Sequence, residues 1–111
     1  MIIADNGTWR IRMRTDRGSE DYAITTGEGR FTFYLHGKAE KIAFIKALEA
    51  TKKQAEKDKS DVFFMAFGGY FGIWLTLTDI EFLLANLPVS EAEKQISTEA
   101  YRIDVSRTTK H

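Results

Sequence analysis

Three arginines near the start of the sequence alternate with apolar residues, in the segment Trp9-Arg-Ile-Arg-Met-Arg14. Successive side chains of a β-strand point to opposite faces of its sheet, so Arg10, Arg12 and Arg14 are expected to share one face. Guanidinium groups pair with phosphates and also stack on planar rings. This spacing therefore indicates a sheet surface that binds a polyanion or an acidic partner.

Further basic and aromatic residues fall on the same face when the other predicted strands are divided in the same way. Arg30 and Tyr34 alternate with apolar residues in a third strand, and Tyr70 and Trp74 do so in a fifth. Proteins bind single-stranded nucleic acid with this combination, because cations follow the phosphates while rings stack on the bases. The candidate nucleic-acid-binding residues are Arg10, Arg12, Arg14, Arg30, Tyr34, Tyr70 and Trp74.

Each of these residues also has a purely structural explanation. Arginines on an edge strand prevent pairing with other chains, and Tyr34 is typical of a cross-strand partner. Tyr70 and Trp74 belong to an unusually aromatic segment, residues 62–77, which is apolar on both sides and would suit a core or an interface. The alternative function is therefore a protein–protein interaction or inhibitory module with residues 62–77 as its interface.

The sequence gives little support to enzymatic chemistry. It contains no cysteine and two histidines, His36 and His111. Metal-ligand spacings, a phosphate loop and a nucleophile elbow are missing from the sequence pattern. The glycines at 27–29 and 68–72 are not followed by the helix that a phosphate cradle requires. We therefore expect no catalytic residues, no metal and no cofactor.

Composition indicates one globular domain. The chain has 111 residues, of which 43% are apolar and 29% charged. We expect a single domain over residues 1–106 and a flexible tail over 107–111. Sixteen basic residues balance sixteen acidic ones, so contact with a polyanion would be confined to one face.

Membrane insertion and secretion find no support in the sequence. No run of about 18 apolar residues is present, which argues against a membrane span. The short, quickly acidic N-terminal segment is unlike a secretory signal. The lack of cysteine fits a reducing compartment, and we expect an intracellular, cytoplasmic protein.

Hydrophobic periodicity predicts the elements that position these residues. Polar and apolar residues alternate over 8–15, 20–26 and 30–36, and short connections favour an antiparallel meander. A helix follows from Gly37, because apolar residues then recur at helical spacing. Its second half, from Thr51, is almost free of apolar residues and is expected to be solvated.

The second half of the chain repeats the change from strand to helix. Strands are predicted at 62–67 and 70–77, and a capping box from Thr78 to Glu81 starts the next helix. A second box, Ser90 to Glu93, indicates a short further helix, and residues 101–105 alternate like a last strand. The expected class is α+β, an antiparallel β-meander with helices packed on one face. The expected order is β-β-β-α-β-β-α, then a short helix and a strand.

The arginine-alternating strand and two strand-to-helix passages, 30–48 and 72–87, carry a family resemblance. Together they resemble the Whirly and eukaryotic transcriptional-coactivator type of single-stranded DNA-binding fold, over roughly residues 8–87. The resemblance implies a homodimer formed through helices and strands. It also implies DNA binding without strict sequence preference, as in replication, recombination or transcription.

The residues and the resemblance together lead to one functional expectation. The protein is expected to be a dimer that binds single-stranded nucleic acid, with DNA favoured over RNA, on its outer sheet face. Phosphates would be held by Arg10, Arg12, Arg14 and Arg30. Bases would stack on Tyr34 and Trp74, with Tyr70 as a further candidate.

Overall fold

The computed structural model describes residues 1–26, 31–59, 62–67, 71–98 and 103–107. Two of the candidate site residues, Arg30 and Tyr70, lie outside the described residues. So do the predicted glycine turn at 27–29 and residues 108–111 of the predicted tail.

Seven strands, two α-helices and one 3-10 helix make up the described part of the chain. They are β1 (Ile2–Asp5), β2 (Trp9–Asp16), β3 (Ser19–Thr26), β4 (Phe31–His36), α1 (Gly37–Asp58), β5 (Val62–Phe67), β6 (Phe71–Thr76), α2 (Leu77–Asn86), the 3-10 helix Glu93–Gln95 and β7 (Ile103–Arg107). The predicted α+β class is confirmed. β7 includes Arg107, the first residue of the predicted tail.

The strands form two antiparallel sheets. In the first sheet β1, β2, β3 and β4 lie side by side in chain order, which is the predicted meander with one additional strand. In the second sheet β5 lies between β6 and β7, so the last strand pairs within its own chain. The sequence pattern does not predict β1, because its four residues are too few to show alternation and its pairing with β2 is irregular between Ile2 and Ala4.

A two-residue turn joins β2 to β3 and sets their register. Arg17 and Gly18 both have positive φ, 52° and 81°, as a type I′ hairpin turn requires. The turn pairs Asp16 with Ser19, and every later pair of the two strands follows from that pair. A register shift by one residue would move the β2 arginines to the opposite face.

One cluster of buried side chains connects both sheets and both helices. α1 contacts β3 and β4 of the first sheet and β5 and β7 of the second. The cluster includes Ile11, Ile24 and Leu35 of the first sheet, Ile73 and Leu75 of the second, Ile42 and Leu48 of α1, and Ile80 and Leu83 of α2. Burial of each such side chain contributes about 1.5–3 kcal/mol. Thr51 and Ala55 are also buried, so the second half of α1 is less solvated than its sequence predicts.

A capping box starts α2, and a second pair of reciprocal bonds spans the turn that leads into the 3-10 helix. Asp79 N donates to Thr76 Oγ1 at 3.1 Å, and Thr76 N donates to Asp79 Oδ2 at 2.9 Å. The predicted box from Thr78 to Glu81 is therefore wrong, because α2 begins two residues earlier. The predicted box at Ser90 is confirmed, since Ser90 N donates to Glu93 Oε1 at 3.0 Å and Glu93 N donates to Ser90 Oγ at 3.2 Å.

Tyr22 of β3 is buried beneath the first sheet, and its hydroxyl forms no hydrogen bond with the residues that the structure describes. Burial, followed by the nearby charges of Glu20 and Glu93, raises the pKa of Tyr22 to about 12. The folded state therefore favours the neutral phenol. The stability that Tyr22 contributes as a neutral phenol is fully present below its ordinary pKa near 10. It is lost as the pH rises towards 12.

Replacement Tyr22→Phe should remove this alkaline sensitivity. Near pH 7 the free energy of unfolding should stay the same or rise by up to about 1 kcal/mol, because a buried hydroxyl without a partner is removed. Between pH 9 and 12 the wild type should lose about 1–2 kcal/mol more than the variant. Urea unfolding of both proteins across this range measures the difference. If the free energy of unfolding falls equally with pH in both proteins, the Tyr22 hydroxyl is not buried.

Candidate nucleic-acid interface

The register of β2, β3 and β4 arranges the side chains opposite the core into three rows, which we call the outer face. The rows are Arg10 with Thr25 and Thr32, Arg12 with Ala23 and Tyr34, and Arg14 with Asp21 and His36. Directly opposed residues of an antiparallel sheet lie on the same side. Alternate residues in the middle of these strands, Ile11, Ile24 and Leu35 among them, are buried on the opposite side. The structure thus places the three arginines and Tyr34 together, as their alternation predicts.

The three arginines differ in their electrostatic surroundings. Arg10 Nε lies 3.0 Å from Asp5 Oδ2 of β1 and forms an ion pair. The backbone N–H of Gly7 and then Arg10 hold the pKa of Asp5 below its ordinary value. Arg12 and Arg14 are exposed, and no carboxylate in the described part of the chain forms an ion pair with either. Two guanidinium groups on this face are therefore available to an anion.

Two rings of β4 stack on each other beside the arginines. Tyr34 is 55% exposed. Its ring centroid lies 6.0 Å from that of His36, and the two planes differ by 16°. An exposed, near-parallel pair of this kind offers a face on which a planar base can stack.

A depression with a volume of about 490 Å³ opens on the outer face next to Tyr34. Ala23 lies between the longer side chains of Arg12 and Tyr34, and its small side chain leaves the space between them open. The depression is lined by Met1, Arg12, Met13, Arg14, Asp21, Ala23 and Tyr34. It therefore brings cations, an aromatic ring and one carboxylate around a single space.

Trp74 is the candidate residue that the structure places elsewhere. It lies on β6 of the second sheet, 60% exposed between buried Ile73 and Leu75. β6 pairs with β5 rather than with a strand of the first sheet. The outer face of the first sheet therefore does not include Trp74, and the expectation that a single sheet carries all the candidates is wrong.

Comparisons with protein-family models, with curated proteins and with solved structures found no match to this chain. Any functional assignment therefore depends on the geometry of this chain's own residues. In the residues that the structure describes, no group of three or more His, Asp or Glu side chains is placed to hold a metal ion. The helices of the described segments include none that is long and apolar enough to cross a membrane.

Three residues that shape this surface are not singled out by the sequence pattern. Sequence reasoning interprets His36 as a strand-end residue and Asp21 as a solvated carboxylate, and it assigns no role to Ala23. The alternation of β4 does place His36 beside Tyr34. The position of Asp21 and Ala23 depends on register, for which the turn at Arg17 and Gly18 is the available signal.

Proposed function

We propose that the protein binds single-stranded nucleic acid, with DNA as the favoured ligand, on the outer face of the first sheet. The observation that carries this proposal is the depression in which Arg12 and Arg14 lie beside the exposed ring of Tyr34. A binding role, without catalysis or a cofactor, accounts for all of these groups.

The arginines supply the phosphate contacts. Arg12 and Arg14 are two residues apart on β2, which separates them by about 7 Å along the strand. Each can therefore meet a different phosphate of an extended strand. Arg10 is partly neutralised by Asp5 and contributes a weaker third contact. The proposal retains Arg30, which directly precedes β4, as a further phosphate ligand.

Tyr34 supplies the stacking surface. Stacking of one base on an aromatic side chain contributes about 1–3 kcal/mol and tolerates every base. A base above Ala23 would lie against the Tyr34 ring while its phosphate reaches Arg12. Trp74, with Tyr70, is proposed to stack bases only where a longer strand continues onto the second sheet.

The resemblance noted in the sequence is part of this proposal, and the strand count is consistent with it. Four strands precede α1, and four strands precede the helix in the Whirly and transcriptional-coactivator type. The homodimer and the cytoplasmic location implied by the sequence belong to the same proposal. A homodimer would present two copies of the outer face to DNA.

Trp74 favours the second candidate function, a protein-interaction module that uses residues 62–77. An exposed indole on an edge strand is typical of a residue that anchors a protein interface. In that case the arginines would contact an acidic protein partner rather than phosphates.

Fluorescence anisotropy with a labelled 12-nucleotide oligo-dT tests the proposed function. At low salt we expect a dissociation constant in the micromolar range or below. Two to four phosphate contacts should give a slope of log K against log salt of about −1.4 to −2.8. Polyglutamate of similar charge is the matched competitor, because it lacks bases and should compete poorly. Absence of binding at low salt would reject the proposal, and equal competition by polyglutamate would select the protein-interaction alternative.

A further inference from the structure

Asp21 is an acidic residue within a surface that otherwise suits a polyanion. It lines the depression next to Arg14, with only 17% of its side chain exposed. A carboxylate repels phosphate, so its presence weakens a site that does nothing except hold a nucleic-acid backbone. Its position calls for a second function that the phosphate contacts do not explain.

The two oxygens of Asp21 have different surroundings. Oδ1 accepts a hydrogen bond from the backbone N–H of Gly37 at 3.2 Å, at the start of α1. Oδ2 lies 3.8 Å from His36 Nδ1, which is beyond hydrogen-bond distance. Oδ1 therefore serves the fold, while Oδ2 keeps its capacity to accept a hydrogen bond from a ligand.

A carboxylate distinguishes bases by the N–H groups that they present. It accepts hydrogen bonds and donates none when ionised. Guanine presents a ring N–H and an amino group side by side. These two donors can bond to the two oxygens of a carboxylate, or both can bond to one oxygen, which has two lone pairs. Thymine presents one N–H between two carbonyl oxygens, and a carboxylate repels those oxygens. Single-stranded bases are read on this edge.

We infer that the depression holds one base of the bound strand between Tyr34 and Arg12, and that Asp21 selects guanine over thymine there. Ala23 lies at the floor of the depression, between Arg12 and Tyr34. Asp21 lies in the neighbouring row, two residues from Ala23 along β3. This inference rests on the proposed function. It adds a base preference at a single position to binding that is otherwise independent of sequence.

A set of 12-nucleotide strands tests the inference. Each is oligo-dT with one central dG, dI, dC or no replacement, because dI keeps the ring N–H of dG and lacks its amino group. The dG strand should bind about tenfold more tightly than oligo-dT, the size expected for one charge-assisted base contact. The dI strand should lie between them.

Asp21→Asn is the central variant. It retains an oxygen that can accept from Gly37 N–H and replaces the other carboxylate oxygen with an amide donor. The preference for dG should disappear, and oligo-dT should bind the variant more tightly than the wild type because a charge that repels phosphate is removed. Thermal unfolding of the variant monitors the fold.

Ala23→Val is an independent second variant. A β-branched residue suits a strand, leaves every charge in place and fills the floor of the depression. It should also abolish the preference for dG. Equal wild-type affinity for dG and oligo-dT strands, or a preference for dG that persists in either variant, overturns the inference but not the proposed function. Failure of every strand to bind the wild type overturns both.

Discussion

Replacement of Glu93 by alanine should lower the free energy of unfolding by about 3 kcal/mol. Lys41 of α1 is only 2% exposed, and its Nζ lies 3.1 and 3.3 Å from the two carboxylate oxygens of Glu93. It also lies 5.3 Å from the centre of the Tyr22 ring. Without Glu93, a buried ammonium group loses its counter-ion, which costs far more than loss of a surface pair. Urea unfolding at neutral pH measures the effect.

Two further variants separate the charge from the capping bond. Glu93→Gln keeps an acceptor for the backbone N–H of Ser90 and removes the charge, so it should cost about 2 kcal/mol. The matched control is Glu91→Gln, because Glu91 pairs with Lys94 at 3.3 Å while 90% of its own side chain is exposed. An exposed pair contributes at most about 1 kcal/mol. Equal losses for the two glutamine variants would show that the Lys41 pair is no stronger than a surface pair.

The pH dependence of Glu93 gives the same pair a second readout. The backbone N–H of Ser90, followed by Lys41, holds the pKa of Glu93 below its ordinary value of 4.5. Because the folded-state pKa is lowered, the contribution is present above pH 4.5 and is lost as the pH falls through the lowered pKa. The wild type should therefore lose more stability than Glu93→Gln on acidification.

The buried pair also supports the proposed interface from below. Tyr22, which Lys41 contacts, lies opposite Met13 and Leu35 in the register of the first sheet. These residues alternate with those of the rows that carry Arg12, Ala23 and Tyr34. Close packing beneath the sheet restricts movement of the strands. The outer side chains are therefore held in the positions that a ligand requires.

Alternation is enough to predict which face the arginines occupy, because strand geometry alone decides it. Arg10, Arg12 and Arg14 need only the correct strand assignment and no knowledge of neighbours. The turn at Arg17 and Gly18 also carries the register of β2 and β3, since two-residue turns fix the pairing that follows. Counting back from that turn places Ala23 opposite Arg12, so the sequence contains the signal for this pair as well.

Other features depend on contacts between distant segments, and the sequence pattern does not contain them. The division into two sheets separates Trp74 from the arginines, although both stretches have the same alternation. Burial of Lys41 depends on Glu93, 52 residues later in the chain. The strand β1 depends on pairing with β2 rather than on its own residues. Such contacts override local propensity.

Removal of the Arg12 guanidinium and the Tyr34 ring together should weaken oligo-dT binding about 100-fold at low salt, which corresponds to about 2.7 kcal/mol. Stacking accounts for about 1–2 kcal/mol of this loss and the phosphate contact for the rest. Both residues are exposed, so the double replacement by alanine should change stability by less than about 0.5 kcal/mol. Fluorescence anisotropy across a salt series measures the affinity of the double variant and of each single variant.

The two single variants should differ in their dependence on salt. Arg12→Ala removes one phosphate contact and should reduce the salt slope by about 0.7, whereas Tyr34→Ala should leave the slope unchanged. Tyr34→Phe keeps the ring and should bind like the wild type, and Lys53→Ala removes an equal charge from the exposed side of α1. A loss for Trp74→Ala as large as that for Tyr34→Ala would move the stacking site to the second sheet. A loss below threefold for the double variant would exclude the outer face of the first sheet as the binding surface, because neither its cation nor its ring would then contact the strand.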